Sequence, residues 1–166
     1  MLYLKEANFQ DIEQEYIFLS KMPSANGFEN PYINVTRETI NDVIQELIDH
    51  SKGINLQEGY VPDTYYFLWD DTKIVGVFKI RHFLNEWLRN NAGHIGYGIL
   101  PEEQGKGYAT KGLALMKEIA KNIIEEDEIY LSVHKDNPAS LKVQQKNGAY
   151  IVGETEIEYL TRIKIK

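Results

Sequence analysis

The sequence predicts an α/β (α+β) fold, a mixed central sheet of about six to seven strands flanked by about four helices. Three observations predict it. Apolar and aromatic runs at 65–69, 74–82 and 94–100 follow one another as an antiparallel meander would. Helical stripes lie on both sides of that block. Last, the tight turn Gln104-Gly105-Lys106-Gly107-Tyr108-Ala109 joins a strand to a helix that is itself followed by a strand, a crossover rather than a hairpin.

Taken in order, residues 1–6 form a short first strand. Phe9, Ile12, Tyr16 and Leu19 then repeat at helical spacing up to a loop at Pro23–Pro31. Ile40, Val43, Ile44, Leu47 and Ile48 make one apolar stripe, with Thr36 as the predicted N-cap and Gly53 as the stop. After a loop over 55–63 come the strand Tyr65–Trp69, a turn at Asp70-Asp71-Thr72-Lys73, and strands Ile74–His82 and His94–Leu100. Leu113, Met116, Ile119, Ala120 and Ile123 share one face of the helix that leaves the glycine turn. A strand at Ile129–Val133, a helix at Asn137–Lys146, and strands at Tyr150–Val152 and Glu156–Ile165 complete the chain.

Composition narrows the function. Length predicts one domain over 1–166. No apolar stretch reaches the ~20 residues a membrane helix needs, and the first residues lack the basic segment and apolar core of a signal peptide, so a cytoplasmic protein with no membrane partner is expected. Zero cysteines exclude a disulfide, a cysteine nucleophile and thiolate metal ligands. With 25 acidic and 18 basic residues the net charge is -7, which disfavours nucleic acid and attracts cationic small molecules or basic peptides, unless the acids serve only solubility.

The glycine turn carries the chemistry. Gly105 and Gly107 bring an anion close to bare backbone, the helix start aims unpaired N–H groups and the positive dipole end at it, and Lys106 adds a cation. Neither the dinucleotide pattern G-x-G-x-x-G in its βαβ setting nor the P-loop pattern G-x-x-x-x-G-K-[ST] is present. What is present, Q-x-x-G-x-A on Gln104, Gly107 and Ala109, resembles the pyrophosphate-binding signature of the GNAT superfamily of acyl-CoA-dependent N-acyltransferases. The wider run Gly96 to Thr110 is similar to the branch that includes the N-terminal acetyltransferases of ribosomal proteins. A second signature, Asn137-Pro138-Ala139-Ser140, follows after one helix and one strand, and the element order matches the GNAT fold over essentially the whole chain.

The resemblance implies an N-acetyltransferase that passes an acetyl group from acetyl-CoA, as co-substrate, to a primary amine of a small molecule or peptide within a ternary complex and without a metal. It implies that the main chain of Ile99 and Leu100 seats the pantetheine arm, that Gln104, Gly105, Lys106, Gly107, Tyr108, Ala109 and Thr110 hold the pyrophosphate, and that Asn137 bonds the arm while capping its helix. It leaves room for a homodimer. His94, where that branch often carries a glutamate, is the candidate base, although a histidine at a strand start also satisfies backbone. The family often places a tyrosine acid where this chain has Gln144. Tyr97, Tyr108 and Tyr150 are nearby in sequence or space, though none falls at the family's position, and Tyr97 is a candidate catalytic residue. Alternatively the thiolate collects its proton from water. The connection 81–92 is long for a hairpin, so Arg81, His82, Asn85 and Glu86 are candidate acceptor contacts, against a plain packing role for Leu84, Trp87 and Leu88. His82, His94 and Glu86 lack the spacing of a metal site. A catalytically weak acyl-CoA-binding regulator is the alternative function, and the missing tyrosine is its support.

Overall fold

The computed structural model describes residues 1–25 and 28–166. Two residues of the loop expected at 23–31, Asn26 and Gly27, therefore lie outside the described residues. Among the described residues seven strands fall into two sheets. The first is antiparallel in the order β1 (Leu2–Glu6), β2 (Asp63–Asp70), β3 (Lys73–Arg81), β4 (Ile95–Ile99), and the second is β5 (Glu128–His134), β7 (Glu158–Lys164), β6 (Tyr150–Glu154). The described residues also form the α-helices that cover them: α1 (Ile12–Lys21), α2 (Ile40–Ser51), α3 (Glu86–Asn90), α4 (Tyr108–Ala120) and α5 (Pro138–Lys146). Among the described residues no helix is long and apolar enough to cross a membrane.

Alternation along β2 and β3 divides the core into two layers. Phe67 and Val77 face Phe18, Leu19, Ile44 and Leu47 of α1 and α2. Phe78 and Ile80 face Leu113 and Met116 of α4, together with Ile129 and Ile163 of the second sheet. Leu113 and Met116 are wholly buried, and each is worth roughly 1.5–3 kcal/mol in removed apolar surface. Gly112 lets α4 lie this close, since a Cβ there would sit 2.4 Å from the Phe78 ring.

Most expected elements occur within a residue or two, and the differences have local causes. The cap of α2 is Thr39 and not Thr36. The two threonines exchange hydrogen bonds, Thr36 N–H to Thr39 Oγ1 at 2.9 Å and Thr39 N–H to Thr36 Oγ1 at 3.3 Å, so the chain makes a turn before the helix starts. Phe9 precedes α1 and is 43% exposed. Within the long connection, Asn85 caps the short α3 by accepting from Leu88 N–H at 2.8 Å, and of the three apolar residues there Leu88 is buried while Trp87 is 63% exposed.

Candidate active site

The two sheets meet at one point and then part. His94 N–H donates to the Tyr130 carbonyl at 2.7 Å, and Tyr130 N–H donates to His94 Nδ1 at 2.9 Å. Beyond this clamp no ladder joins β4 to β5. Leu100 N–H donates to Val75 C=O at 2.9 Å, and the register Gly98 to Val77 and Gly96 to Lys79 continues that pairing. The intervening Tyr97 and Ile99 therefore turn their amides and carbonyls away from β3, onto a strand edge that has no partner strand among the described residues.

Along that edge opens a cavity of about 430 Å³, within the range of small-molecule sites. Tyr97, Gly98 and Ile99 form one wall, the turn from Gln104 to Thr110 the end, and Asn137, Ser140, Lys142 and Lys146 of α5 and its cap the other wall. Gly107 is the N-cap of α4 at φ +84°, a left-handed conformation that a Cβ would strain, and no side chain caps the helix. The first intrahelical donor is Lys111 N–H to Gly107 C=O at 3.2 Å, so the preceding amides have no helical acceptor and face whatever occupies the turn. Added Cβ atoms at Gly105 and Gly107 would meet nothing within 4 Å among the described residues, which leaves room for a phosphate against bare backbone.

Tyr97 reaches across the cavity from β4, and its hydroxyl lies 2.7 Å from Ser140 Oγ. Burial pushes this phenol up from its ordinary value, only partly offset by its bonds to Ser140 and Gln144, so it stays protonated at neutral pH and has a proton to give. Asn137 Oδ1 accepts from Ser140 N–H at 3.1 Å and caps α5.

Of the residues singled out in the sequence, Tyr97, Ile99, Gln104, Gly105, Gly107, Tyr108, Ala109, Thr110 and Asn137 line the cavity. Leu100 does not, being buried with its amide committed to Val75. Nor does Lys106, whose ammonium pairs with Glu103 at 2.9 Å while Lys73 holds the same carboxylate at 2.8 Å. Those two lysines pull the Glu103 carboxyl below its usual range. His94 lies at the root of the wedge, 0% exposed. Its Nδ1 accepts from Tyr130, so in the neutral ring Nε2 carries the proton and donates to Glu126 Oε1 at 3.0 Å. Burial lowers its pKa and keeps it neutral, and neither nitrogen is left to take a proton from a substrate. Among the candidate acceptor contacts, Asn85 is spent capping α3, and Glu86 is an exposed residue of its first turn; neither lines the cavity. His82 turns to the α4 side, where its Nε2 lies 2.7 Å from Thr64 Oγ1. Arg81 alone is on the α1–α2 face of β3, half-buried, with Nη1 donating to Gly93 C=O at 3.1 Å. Gln144 is structural: buried, it accepts from the Thr161 hydroxyl at 2.5 Å and donates to Ser132 C=O at 3.2 Å. Sequence reasoning missed Lys142 and Lys146, whose four-residue spacing puts both on the cavity face of α5.

A family model described as an acetyltransferase (GNAT) domain matches residues 3–150. The chain belongs to the GNAT acetyltransferase family. Family and fold together make it an acetyl-CoA-dependent N-acyltransferase. Among solved structures it is similar to ribosomal-protein-S5-alanine acetyltransferase from Vibrio fischeri, with TM-score 0.69 and 20% identity over 99% of this chain and 92% of that one. It is also similar to a chimera of spermidine N-acetyltransferase SpeG from Vibrio cholerae and hSSAT, with TM-score 0.66 and 19% identity over 99% and 95%. A third is the N-acetyltransferase PseH of Campylobacter jejuni, solved in complex with acetyl coenzyme A, with TM-score 0.59 and 18% identity over the whole of both chains. A comparison with curated proteins finds no match.

Proposed function

We propose that this GNAT acetyltransferase, one domain over 1–166, moves an acetyl group directly from acetyl-CoA to a primary amine of a small molecule or peptide. The observation that carries the reading is the unpartnered edge of β4 running into the uncapped start of α4 along one cavity. The turn at 105–110 holds the pyrophosphate on backbone amides, with Lys142 and Lys146 supplying the cations. The amides and carbonyls of Tyr97 and Ile99 pair the pantetheine arm as a strand would, with Asn137 beside it. That PseH, a structural neighbour, was solved in complex with acetyl coenzyme A supports acetyl-CoA as the co-substrate.

In the transfer the neutral amine forms a bond to the thioester carbonyl carbon, the carbon–sulfur bond breaks, and its electron pair leaves with sulfur. A backbone N–H of β4 stabilises the carbonyl oxygen. Tyr97 gives its phenol proton to the departing thiolate and is reprotonated by solvent. The only carboxylate lining the cavity among the described residues, Glu103, is held by two lysines, so the amine proton goes to water. Tyr97 thus stands in for the tyrosine that Gln144 replaces, which removes the support for a binding-only regulator. Thiol release from acetyl-CoA over a panel of primary amines, with product mass measured, tests the reading. A product heavier by one acetyl group is the expected result. Acetyl-CoA binding without turnover on any amine would reinstate the regulator.

A further inference from the structure

We propose that the amine acceptor also carries an anionic group, a carboxylate or a phosphate, and that Lys79 and Arg81 hold that group beside the cavity. The proposal rests on the acetyl-transfer reading and names the substrate class for the same site. It starts from the register. Lys79 stands between Tyr65 on β2 and Gly96 on β4, and Arg81 stands opposite Asp63. Direct partners project to the same face, so Tyr65, Lys79 and Gly96 form one row on the α1–α2 side of the sheet. The next row, Phe67, Val77 and Gly98, is roofed, for a Cβ at Gly98 would lie 2.5 Å from Met22 and 3.4 Å from Phe28. Over Gly96 a Cβ would meet nothing within 4 Å among the described residues. The helical cover stops between the two glycines. Gly98 and Met22 line the cavity, and Gly96, the next position on that face, stands beside it without such a roof.

Two cations stand at this gap with no close ion-pair partner among the described residues, although Asp63, opposite Arg81, acts on both at longer range. Among the described residues neither Lys79 nor Arg81 has a carboxylate oxygen within 4.0 Å, Lys79 makes no side-chain hydrogen bond, and Arg81 uses a single donor, on the Gly93 carbonyl. Both are half-buried, and like charges two residues apart on one strand face repel. Charges withdrawn from water are ordinarily paired. Burial lowers both groups, and Arg81 lowers Lys79 further. An anion between them removes both penalties. Asp63 and Glu29 act on Lys79 at longer range, and Glu46 accepts from the Tyr32 hydroxyl at 2.6 Å beside Tyr65. That mixed field suits a compact molecule with both charges, and it disfavours a polyamine, which brings only cations to the lysine–arginine pair.

The test measures steady-state transfer to β-alanine, its amide, phosphoethanolamine and spermidine, with wild type, Lys79→Met, Arg81→Met and the charge-keeping Lys79→Arg. An anionic amine is expected to be the better acceptor. Either methionine variant should raise its KM roughly ten- to a hundredfold, the size of a lost charge-assisted hydrogen bond, with acetyl-CoA affinity unchanged and Lys79→Arg close to wild type. β-Alanine against phosphoethanolamine decides between carboxylate and phosphate. A preference for spermidine or for the amide, or methionine variants with wild-type KM and normal melting temperatures, overturns the proposal. Calorimetric binding of the same amines to the CoA-loaded protein separates it from the transfer reading. Binding of an anionic amine that depends on Lys79 and Arg81 but gives no product supports the anion site and sinks the transfer reading. Product without that dependence does the reverse.

Discussion

The Tyr97 hydroxyl stands 2.7 Å from the hydroxyl of Ser140, so a side chain from the free edge of β4 meets the first turn of α5 across the cavity. Ser140 orients the phenol, and either hydroxyl of the pair can be the donor. Tyr97→Phe should lower turnover about ten- to a hundredfold, toward the low end for a general acid because a thiolate leaves readily unaided. Acetyl-CoA affinity should stay within a few-fold, as measured by calorimetry. Tyr108→Phe and Tyr150→Phe should be near wild type, since their hydroxyls are tied to Asp70 and Glu128. If Tyr97→Phe keeps full turnover, solvent protonates the thiolate.

The cofactor half of the site was legible because its signals are local. A glycine at positive φ, an asparagine cap and an uncapped helix start each lie within a few residues of what they do, and Gln104, Gly105, Gly107, Tyr108, Ala109, Thr110 and Asn137 all line one cavity. The misreadings are long-range. The resemblance made His94 the candidate base, but its environment is set by Glu126 and Tyr130, more than 30 residues away. Gln144 read as an absent acid, whereas Ser132 and Thr161, on strands either side of it in sequence, give it a buried role. Lys79 left one signal, a charge inside an otherwise apolar strand, and only the missing roof over Gly96 gives it meaning.

Gly107 should be the most sensitive position for acetyl-CoA. Its φ of +84° costs any other residue about 1–2 kcal/mol, so Gly107→Ala should lower the melting temperature modestly and weaken the cofactor. Gly107→Glu adds bulk and a negative charge where the pyrophosphate is proposed to bind, and should weaken acetyl-CoA at least a hundredfold by calorimetry. Unchanged affinity in the glutamate variant would remove the pyrophosphate from this turn.

His94→Ala should be a stability variant. It removes the partner of Glu126 Oε1 and of the Tyr130 amide at the backbone clamp beside β4 and β5, which should cost about 2–4 kcal/mol in denaturant unfolding. Turnover per folded molecule should stay within tenfold. The pH dependence follows from the lowered folded pKa. The ring is neutral in the fold and titrates near ~6.5 when unfolded, so its contribution is complete above that pH and declines as pH falls below it. The variant should lose this acid-side decline. A hundredfold drop in turnover at intact stability would restore His94 as the base.

Glu15 predicts a slope of opposite sign. It is 1% exposed on α1, its Oε2 accepts from Asn8 N–H at 3.0 Å, and its Oε1 has no partner among the described residues. Burial pushes its carboxyl up from 4.5 to about 8, with Asp11 adding to the shift and the Asn8 bond and Lys5 opposing it. Between those values the folded chain holds a proton that the unfolded chain releases. Stability is therefore complete below about pH 4.5 and declines as pH rises through 8, by up to about 1.4 kcal/mol per pH unit. Glu15→Gln keeps the shape and an oxygen for Asn8 while abolishing the titration. Urea unfolding at pH 5.5 and 8 should find the variant close to wild type at the lower pH and more stable at the higher one, where the ionised carboxylate has no second partner. Equal pH dependence in the two proteins would mean that Glu15 is ionised in the fold, and that water reaches Oε1.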